Sequence, residues 1–296
     1  MAYYNNDTII FVNGAYVKAA EAKTDFFGQS LHYGYSVFEG IRSYQTASGD
    51  TKIFKAEEHY KRLKNSALAL NMPYHWSVDE LVEATYEVLS RNGLQNAYIR
   101  PIVYAPANMS FNPNNESYLM IAAWEMGLFL GDKLLRVMSS SFQRPNPQGF
   151  KIEAKAGGHY VNSILASQEA KAKGFDEALL TDMNGYVAEG PGANVFFEKN
   201  GKLYTPPLGN ILPGITRATV IEICEELNIP VEERLFTTEE LKQADAAFFC
   251  GTAAEVIGWQ SFDDVTFPAN WNNTLGRKIQ LAYKERVTEG IKETVK

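Results

Sequence analysis

Lys155 stands in Ala154-Lys155-Ala156-Gly157-Gly158-His159-Tyr160, a run of small residues interrupted by an amine, an imidazole and a phenol. A long cation is a poor filler among alanines and glycines unless its amine acts there. Partial desolvation lowers the pKa of an ammonium, and the neutral amine is a nucleophile that condenses with carbonyls to give a Schiff base. The small neighbours leave room for a flat ring, and glycine lets the backbone approach it closely. Taken alone, the segment favours an ordinary solvated lysine, the common fate of that residue.

Three further segments carry chemistry. Leu212-Pro213-Gly214-Ile215-Thr216-Arg217 puts a Pro-Gly turn directly before a helical pattern, so free amides and the helix dipole favour an anion, or simply a capped helix. Gly251-Thr252-Ala253 is a small-residue loop between strands, either an oxyanion nest or a plain hairpin turn. Glu189 precedes Gly190-Pro191-Gly192, where its carboxylate either pairs with a protonated ring nitrogen or is solvated. An amine, a fixed acid, a phenol and two anion cradles match the aldehyde, pyridinium, phenolic oxygen and phosphate of pyridoxal phosphate. No full dinucleotide fingerprint competes with that set.

The composition narrows the class. A chain of 296 residues favours two domains over one. The net charge of -7 argues against a nucleic-acid binder. Cys224 and Cys250 form no C-x-x-C pair, and His32, His59, His75 and His159 form no H-E-x-x-H, so no metal site is expected. The N-terminus lacks a leader pattern and no apolar run would cross a bilayer, which together predict a cytoplasmic protein without membrane association.

Positioning elements follow from pattern. Thr8–Val12, Asn13-Gly14 and Ala15–Val17 read as a hairpin. Leu31–Arg42 reads as a loop, Glu57–Leu70 as a helix, and Ser77–Ser90 as a helix opened by a Ser77–Glu80 capping box. Strands are expected at Ala97–Tyr104, Tyr118–Trp124, Leu134–Ser140, Glu177–Thr181, Tyr186–Ala188, Asn194–Glu198, Leu203–Thr205, Ala246–Cys250 and Val256–Trp259. Helices are expected at Thr216–Leu227, after a Thr237 cap, and over Asn272–Lys296. Gly127–Asp132 reads as a hinge. The boundaries are a small N-terminal α/β domain at 1–126, a linker at 127–139, and a larger C-terminal domain at 140–296 carrying Lys155. Strands in hairpins with inserted helices make the class mixed α/β (α+β).

With these residues in place, the chain resembles the branched-chain aminotransferases of the fold-type IV pyridoxal-phosphate enzymes. The matching segments are Leu31-His-Tyr-Gly-Tyr-Ser-Val-Phe-Glu-Gly-Ile-Arg42, Tyr98-Ile-Arg100-Pro, Lys155-Ala-Gly-Gly-His-Tyr160, Glu189-Gly, Leu212-Pro-Gly-Ile-Thr216-Arg and Gly251-Thr-Ala-Ala-Glu255. The resemblance implies the two-domain architecture of the D-amino-acid aminotransferase type and a ping-pong transfer of nitrogen between L-Leu, L-Ile or L-Val and 2-oxoglutarate. It implies that Lys155 carries the cofactor and moves the substrate proton, that Glu189 holds the pyridine nitrogen protonated, and that Tyr160 bonds the phenolic oxygen. Arg62, Gly214, Ile215, Thr216, Gly251 and Thr252 would surround the phosphate, with Leu212 on a ring face. Tyr98 and the Thr252-Ala253 amides would take the α-carboxylate, Phe38 would line the side-chain pocket, and Arg100 would receive the glutamate carboxylate. Tyr33 would come from a neighbouring subunit of a homodimer, or of a larger homo-oligomer.

Four positions depart from the family pattern. Met126 and Phe129 stand where the interdomain loop usually brings a Trp and a Tyr, Phe111 replaces a smaller aliphatic residue, and Ala193 replaces a Glu near the cofactor tyrosine. They bear on side-chain choice, where a pocket discriminates by only ~1–3 kcal/mol per methylene. An aminotransferase redirected to aromatic or D-amino acids, a fold-sharing lyase, a Schiff-base aldolase and a non-catalytic binding protein are the rival readings.

Overall fold

In the computed structural model, residues 3–127, 130–131 and 133–288 are described. They divide into two compact units, one built from residues 3–127 with 154–158 and 287–288, the other from 130–131 and 133–153 with 159–286.

The first unit opens with the expected hairpin, β1 (Ile9–Val12) and β2 (Ala15–Lys18), turned by Asn13 at φ 48°. A short helix α1 (Gln29–Tyr33) follows, then β3 (Ser36–Phe38), β4 (Ile41–Gln45) and β5 (Thr51–Ile53). Helices α2 (Ala56–Ala69) and α3 (Val78–Arg91) precede the long strands β6 (Ala97–Tyr104) and β7 (Tyr118–Glu125). The strands form one antiparallel sheet in the order β2-β1-β7-β6-β4-β5, with β3 also on β6. β6 and β7 alternate between buried and half-buried positions along much of their length, the pattern of a sheet with one face on a core. That core joins Val37, Ile41, Ile99 and Leu119 to Tyr60, Leu63, Leu81 and Val88 of the two helices.

The segment Leu31–Arg42 is not a loop. It holds the end of α1, all of β3 and the start of β4. β3 is buried throughout and β4 is buried except at Gln45, so neither shows the polar alternation that betrays a strand. Ala154–Gly158 also departs from the expected partition, because it packs as part of the first unit. Its backbone explains why: Ala156 bridges Val37, the Phe38 N–H donates to the Lys155 carbonyl at 3.0 Å, and the Gly158 N–H donates to the Gly34 carbonyl at 3.0 Å.

The second unit contains β8 (Leu135–Gln143), α4 (Tyr160–Ala172), β9 (Glu177–Thr181), β10 (Val187–Glu189), β11 (Asn194–Lys199), β12 (Lys202–Thr205), α5 (Ile215–Glu226), β13 (Val231–Glu233), α6 (Thr238–Leu241), β14 (Ala246–Gly251), β15 (Glu255–Phe262), β16 (Val265–Thr266) and all but the last two residues of α7 (Leu275–Thr288). Its mixed sheet runs β10-β9-β8-β15-β14-β11-β12-β13, and a further pairing of β10 with β11 closes the sheet on itself. The closing pair is Glu189 opposite Asn194. Val137, Leu179, Val195, Phe197, Phe249 and Trp259 fill the interior.

Helix α4 carries no clear sequence signature. It buries only Ser163, Ala166 and Ala170 while exposing Val161, Ile164 and Leu165, which inverts the usual apolar stripe. Of the expected hinge and C-terminal helix, residues 128, 129, 132 and 289–296 lie outside the described residues.

The predicted capping box is present: the Glu80 N–H donates to Ser77 Oγ at 3.2 Å, and the Ser77 N–H donates to Glu80 Oε2 at 2.7 Å. Ser77→Ala should lower the stability of the first unit by about 1 kcal/mol in denaturant titration without altering the fold by circular dichroism.

Candidate active site

Lys155 is half-buried, and both of its backbone groups are held. Its N–H donates to Ser66 Oγ at 3.0 Å, and its carbonyl accepts from Phe38. Its ammonium lies 5.2 Å from the centroid of the Phe38 ring. The helix that supplies Ser66 also supplies His59 and Arg62, at spacings that place all three on one side of α2. One helical stripe therefore sets both the lysine and a cation.

Arg62 is fixed by Glu39, a carboxylate with no exposed side-chain surface. Arg62 Nε donates to Oε1 at 2.7 Å and Nη2 to Oε2 at 2.8 Å, a two-pronged pairing that suits a planar guanidinium. His59 Nδ1 lies 2.7 Å from Glu39 Oε2, so against an ionised carboxylate this nitrogen carries the proton. Burial opposes the charge on Glu39, but the charge and hydrogen bonds of Arg62, with those of His59, hold its carboxyl far below the usual range. Burial pushes the His59 pKa down, against the pull of Glu39, so the ring is neutral.

Next to this network stands an aromatic wall. Phe38 and Tyr98 are buried, and the Arg100 guanidinium lies 4.5 Å from the Phe38 ring centroid, 5.3 Å from Tyr98 and 6.0 Å from Trp124. Arg100 Nη2 donates to Tyr98 Oη at 3.2 Å, while Arg100 Nε is buried without a hydrogen-bond acceptor among the described residues. A Cβ on Gly40 would fall 1.9 Å from Tyr98 Oη, so any larger residue there would displace the tyrosine ring. Tyr33, at the end of α1, is exposed and lies 5.7 Å from Phe111, itself 92% exposed. Met126 is half-buried and its carbonyl accepts from Arg42 at 2.7 Å. Phe129 lies outside the described residues.

In the second unit Glu189 is the last residue of β10 and only 5% exposed, which removes the solvated-loop alternative. Its Oε1 accepts the Leu212 N–H at 3.0 Å and its Oε2 accepts Asn194 Nδ2 at 3.0 Å. Arg144 Nε lies 2.9 Å from Oε1, with both side chains buried. Asn194 Nδ2 also reaches the Leu212 carbonyl at 3.1 Å, so one amide ties the acid to the turn before α5. Gly214 caps that helix, and a Cβ there would fall 2.0 Å from Asn194 Oδ1. Ile215 and Thr216 form the first turn, where backbone amides have no intrahelical acceptor.

Tyr160 begins α4, and Ala193 is half-buried beside β11. Gly251 ends β14 opposite Glu255, and Thr252 and Ala253 lie in the turn of the β14–β15 hairpin. The hairpin closes on Glu255, a non-glycine residue at φ 55° whose carboxylate lies 3.3 Å from Lys284.

The structure thus gathers Lys155, Arg62, Phe38, Tyr98 and Arg100 in the first unit. In the second it gathers Glu189, Leu212 and Gly214 around Asn194. A positioned amine, a fixed guanidinium, an open helix start and a held carboxylate suit the groups of pyridoxal phosphate. Glu39, His59, Ser66, Asn194 and Arg144 were not singled out by sequence. The available signal was a polar residue inside an otherwise apolar strand or helix face, as with Asn194 before Val195-Phe196-Phe197.

The chain matches the amino-transferase class IV family over residues 36–262. It is 39% identical over 282 residues to the branched-chain-amino-acid aminotransferase of Escherichia coli (strain K12), covering 93% of this chain and 91% of that protein. It is 39% identical over 294 residues to the Pseudomonas aeruginosa protein of the same name, covering 97% and 95%. Among solved structures, it superposes on the Escherichia coli branched-chain amino acid aminotransferase with a TM-score of 0.92, at 36% identity over 97% of this chain and 98% of that one. It superposes on the branched-chain amino acid aminotransferase from Thermobaculum terrenum, in its PLP-bound holo-form, with a TM-score of 0.89, at 34% identity over 96% and 94%.

Removing Glu39 strands Arg62 and His59 in a buried site, so Glu39→Ala should cost ~3–5 kcal/mol in denaturant titration. Glu39→Gln separates charge from shape. The depressed carboxyl stabilises the wild type above its unfolded pKa, and that contribution is lost as pH falls below ~4.5 towards the folded value. His59, neutral when folded, adds a loss that begins below ~6.5. The Gln variant should keep the second slope and lack the first.

Proposed function

The chain belongs to the class IV amino-transferases, and from that premise we propose that it is a pyridoxal-phosphate-dependent branched-chain-amino-acid aminotransferase that uses 2-oxoglutarate as amino acceptor. The observation that carries the substrate assignment is the wall of Phe38, Tyr98 and Trp124 with Arg100 at its edge. An aliphatic side chain is accommodated by the apolar faces. The distal carboxylate of glutamate or 2-oxoglutarate is met by Arg100, whose buried Nε has a hydrogen bond to give. Two unlike substrates are thereby served by one surface.

When bound, pyridoxal phosphate supplies an aldehyde that condenses with amines and a protonated ring that accepts an electron pair. Lys155 would hold that aldehyde through Nζ and, freed when the substrate amine takes its place, would carry the proton from substrate Cα to the carbon that bore the aldehyde. Its backbone tethers to Ser66 and Phe38 keep the amine within a short arc. Arg62 and the amides of Ile215 and Thr216 would hold the phosphate, with Gly214, Gly251 and Thr252 near it. Glu189 would keep the ring nitrogen protonated, Tyr160 would donate to the phenolic oxygen, and Leu212 would pack on the ring. Tyr98 and the amides of Thr252 and Ala253 orient the α-carboxylate.

A homodimer belongs to this reading. Phe26, Phe27, Leu31, Met109 and Phe111 leave apolar surface exposed around Tyr33, which suits Tyr33 reaching the site of a partner subunit. A reducing cytoplasm suits Cys224 and Cys250. Both thiols are buried, and burial pushes that of Cys224 up to about 12, which leaves it unreactive.

Single-turnover mixing followed at the cofactor's absorbance band tests the assignment. L-Ile and L-Glu should convert the band and D-Ala should not. Lys155→Ala should slow conversion by ~10²–10⁴-fold. Arg100→Leu should lower kcat/KM for L-Glu by ~100-fold while sparing L-Ile. Faster conversion by L-Phe would assign the pocket to aromatic amino acids, and conversion by D-Ala with L-Ile inert would overturn the L-assignment. In sedimentation, Phe111→Glu should shift a dimer towards monomer.

A further inference from the structure

Arg144 has no role in the reaction described so far, yet it is buried against the acid that matters most to the ring. Its backbone N–H donates to the Thr181 carbonyl at 2.8 Å, and Pro145 and Pro147 stiffen the loop that follows. Its Nε lies 2.9 Å from Glu189 Oε1 but off the N–H axis, so charge rather than a linear hydrogen bond carries the contact. Asn194 and the Leu212 amide, which also donate to Glu189, are neutral.

A carboxylate at 5% exposure faces a desolvation cost that neutral donors only partly offset, and without a nearby cation it takes up a proton. A protonated Glu189 would no longer supply the negative charge that holds a ring nitrogen protonated. We propose that Arg144 is a positioning residue that keeps Glu189 ionised before the cofactor arrives, and so determines the pH range over which the cofactor ring is held. This rests on Glu189 being the ring-nitrogen partner.

Three other titratable groups on the surrounding elements have their own engagements. His159 is kept neutral by burial and by the charge of Arg144, with Glu153 pulling weakly the other way. Asp182, beyond the end of β9, is engaged by the backbone of Asn184 and Tyr186 and by Asn210. Cys250, opposite Asn194 in β14, is kept as a thiol by burial. Arg144 is in ion-pair contact with Glu189.

The test compares wild type, Arg144→Gln, Arg144→Lys and Glu189→Gln, in infrared spectra of the cofactor-free proteins and in pyridoxal-phosphate titrations from pH 6 to 9. In Arg144→Gln a protonated-carboxyl band should appear at neutral pH and vanish when Glu189→Gln is added. Its cofactor affinity should weaken by about tenfold per pH unit on the acid side, because binding must then release the Glu189 proton. It should approach wild type at the alkaline end. Arg144→Lys keeps the charge and should retain the wild-type profile, and it carries the test if the Gln variant does not fold. A pH profile for Arg144→Gln parallel to wild type with no carboxyl band, or a Lys variant with the acid-weakened profile predicted for Gln, would overturn the proposal. Glu189→Gln should bind weakly at every pH. If it binds as wild type does, the assignment of Glu189 itself fails.

Discussion

The anchoring of Lys155 by its own backbone is the constraint on which the site depends. A lysine side chain has four flexible carbons, and an amine on a free loop would sample far more space than a proton transfer tolerates. Here the peptide on one side of Lys155 is tied to Ser66 on α2, and the peptide on the other side to Phe38 at the end of β3. The small residues at 154, 156, 157 and 158 make that docking sterically possible. The same α2 stripe carries Arg62, so the distance from amine to guanidinium is set by a rigid helix rather than by loops.

Buried charge is handled alike in both units, through carboxylates saturated before any ligand binds. Glu39 meets Arg62 and His59; Glu189 meets Arg144, Asn194 and the Leu212 amide. Such pairs contribute little net stability compared with apolar packing, because desolvation offsets their attraction. What they supply is orientation. A guanidinium gripped on two nitrogens by Glu39 has little rotational freedom left, and neither has a carboxylate held from three sides.

Much of the fold was legible where local chemistry is strong. The Asn13-Gly14 hairpin, the Ser77 capping box and the paired long strands follow from turn residues, caps and alternation. What escaped was set by tertiary burial. β3 and β4 read as loop because almost every position is covered, and α4 was invisible because its inner face is Ser163, Ala166 and Ala170. The site shows the same divide. Lys155, Glu189 and the Leu212–Thr216 turn stood out as odd residue types in small-residue settings. Their supports, Ser66, Glu39, Asn194 and Arg144, are ordinary polar residues whose partners lie far away in sequence, and no local pattern marks them.

Borohydride reduction of the cofactor-loaded protein, followed by proteolysis and mass spectrometry, tests the central claim most directly. The account predicts a phosphopyridoxyl group on the peptide containing Lys155, with a yield that falls in Ser66→Ala as the lysine backbone loses its tether. Modification of another lysine, or an unchanged label pattern in Lys155→Ala, would contradict it.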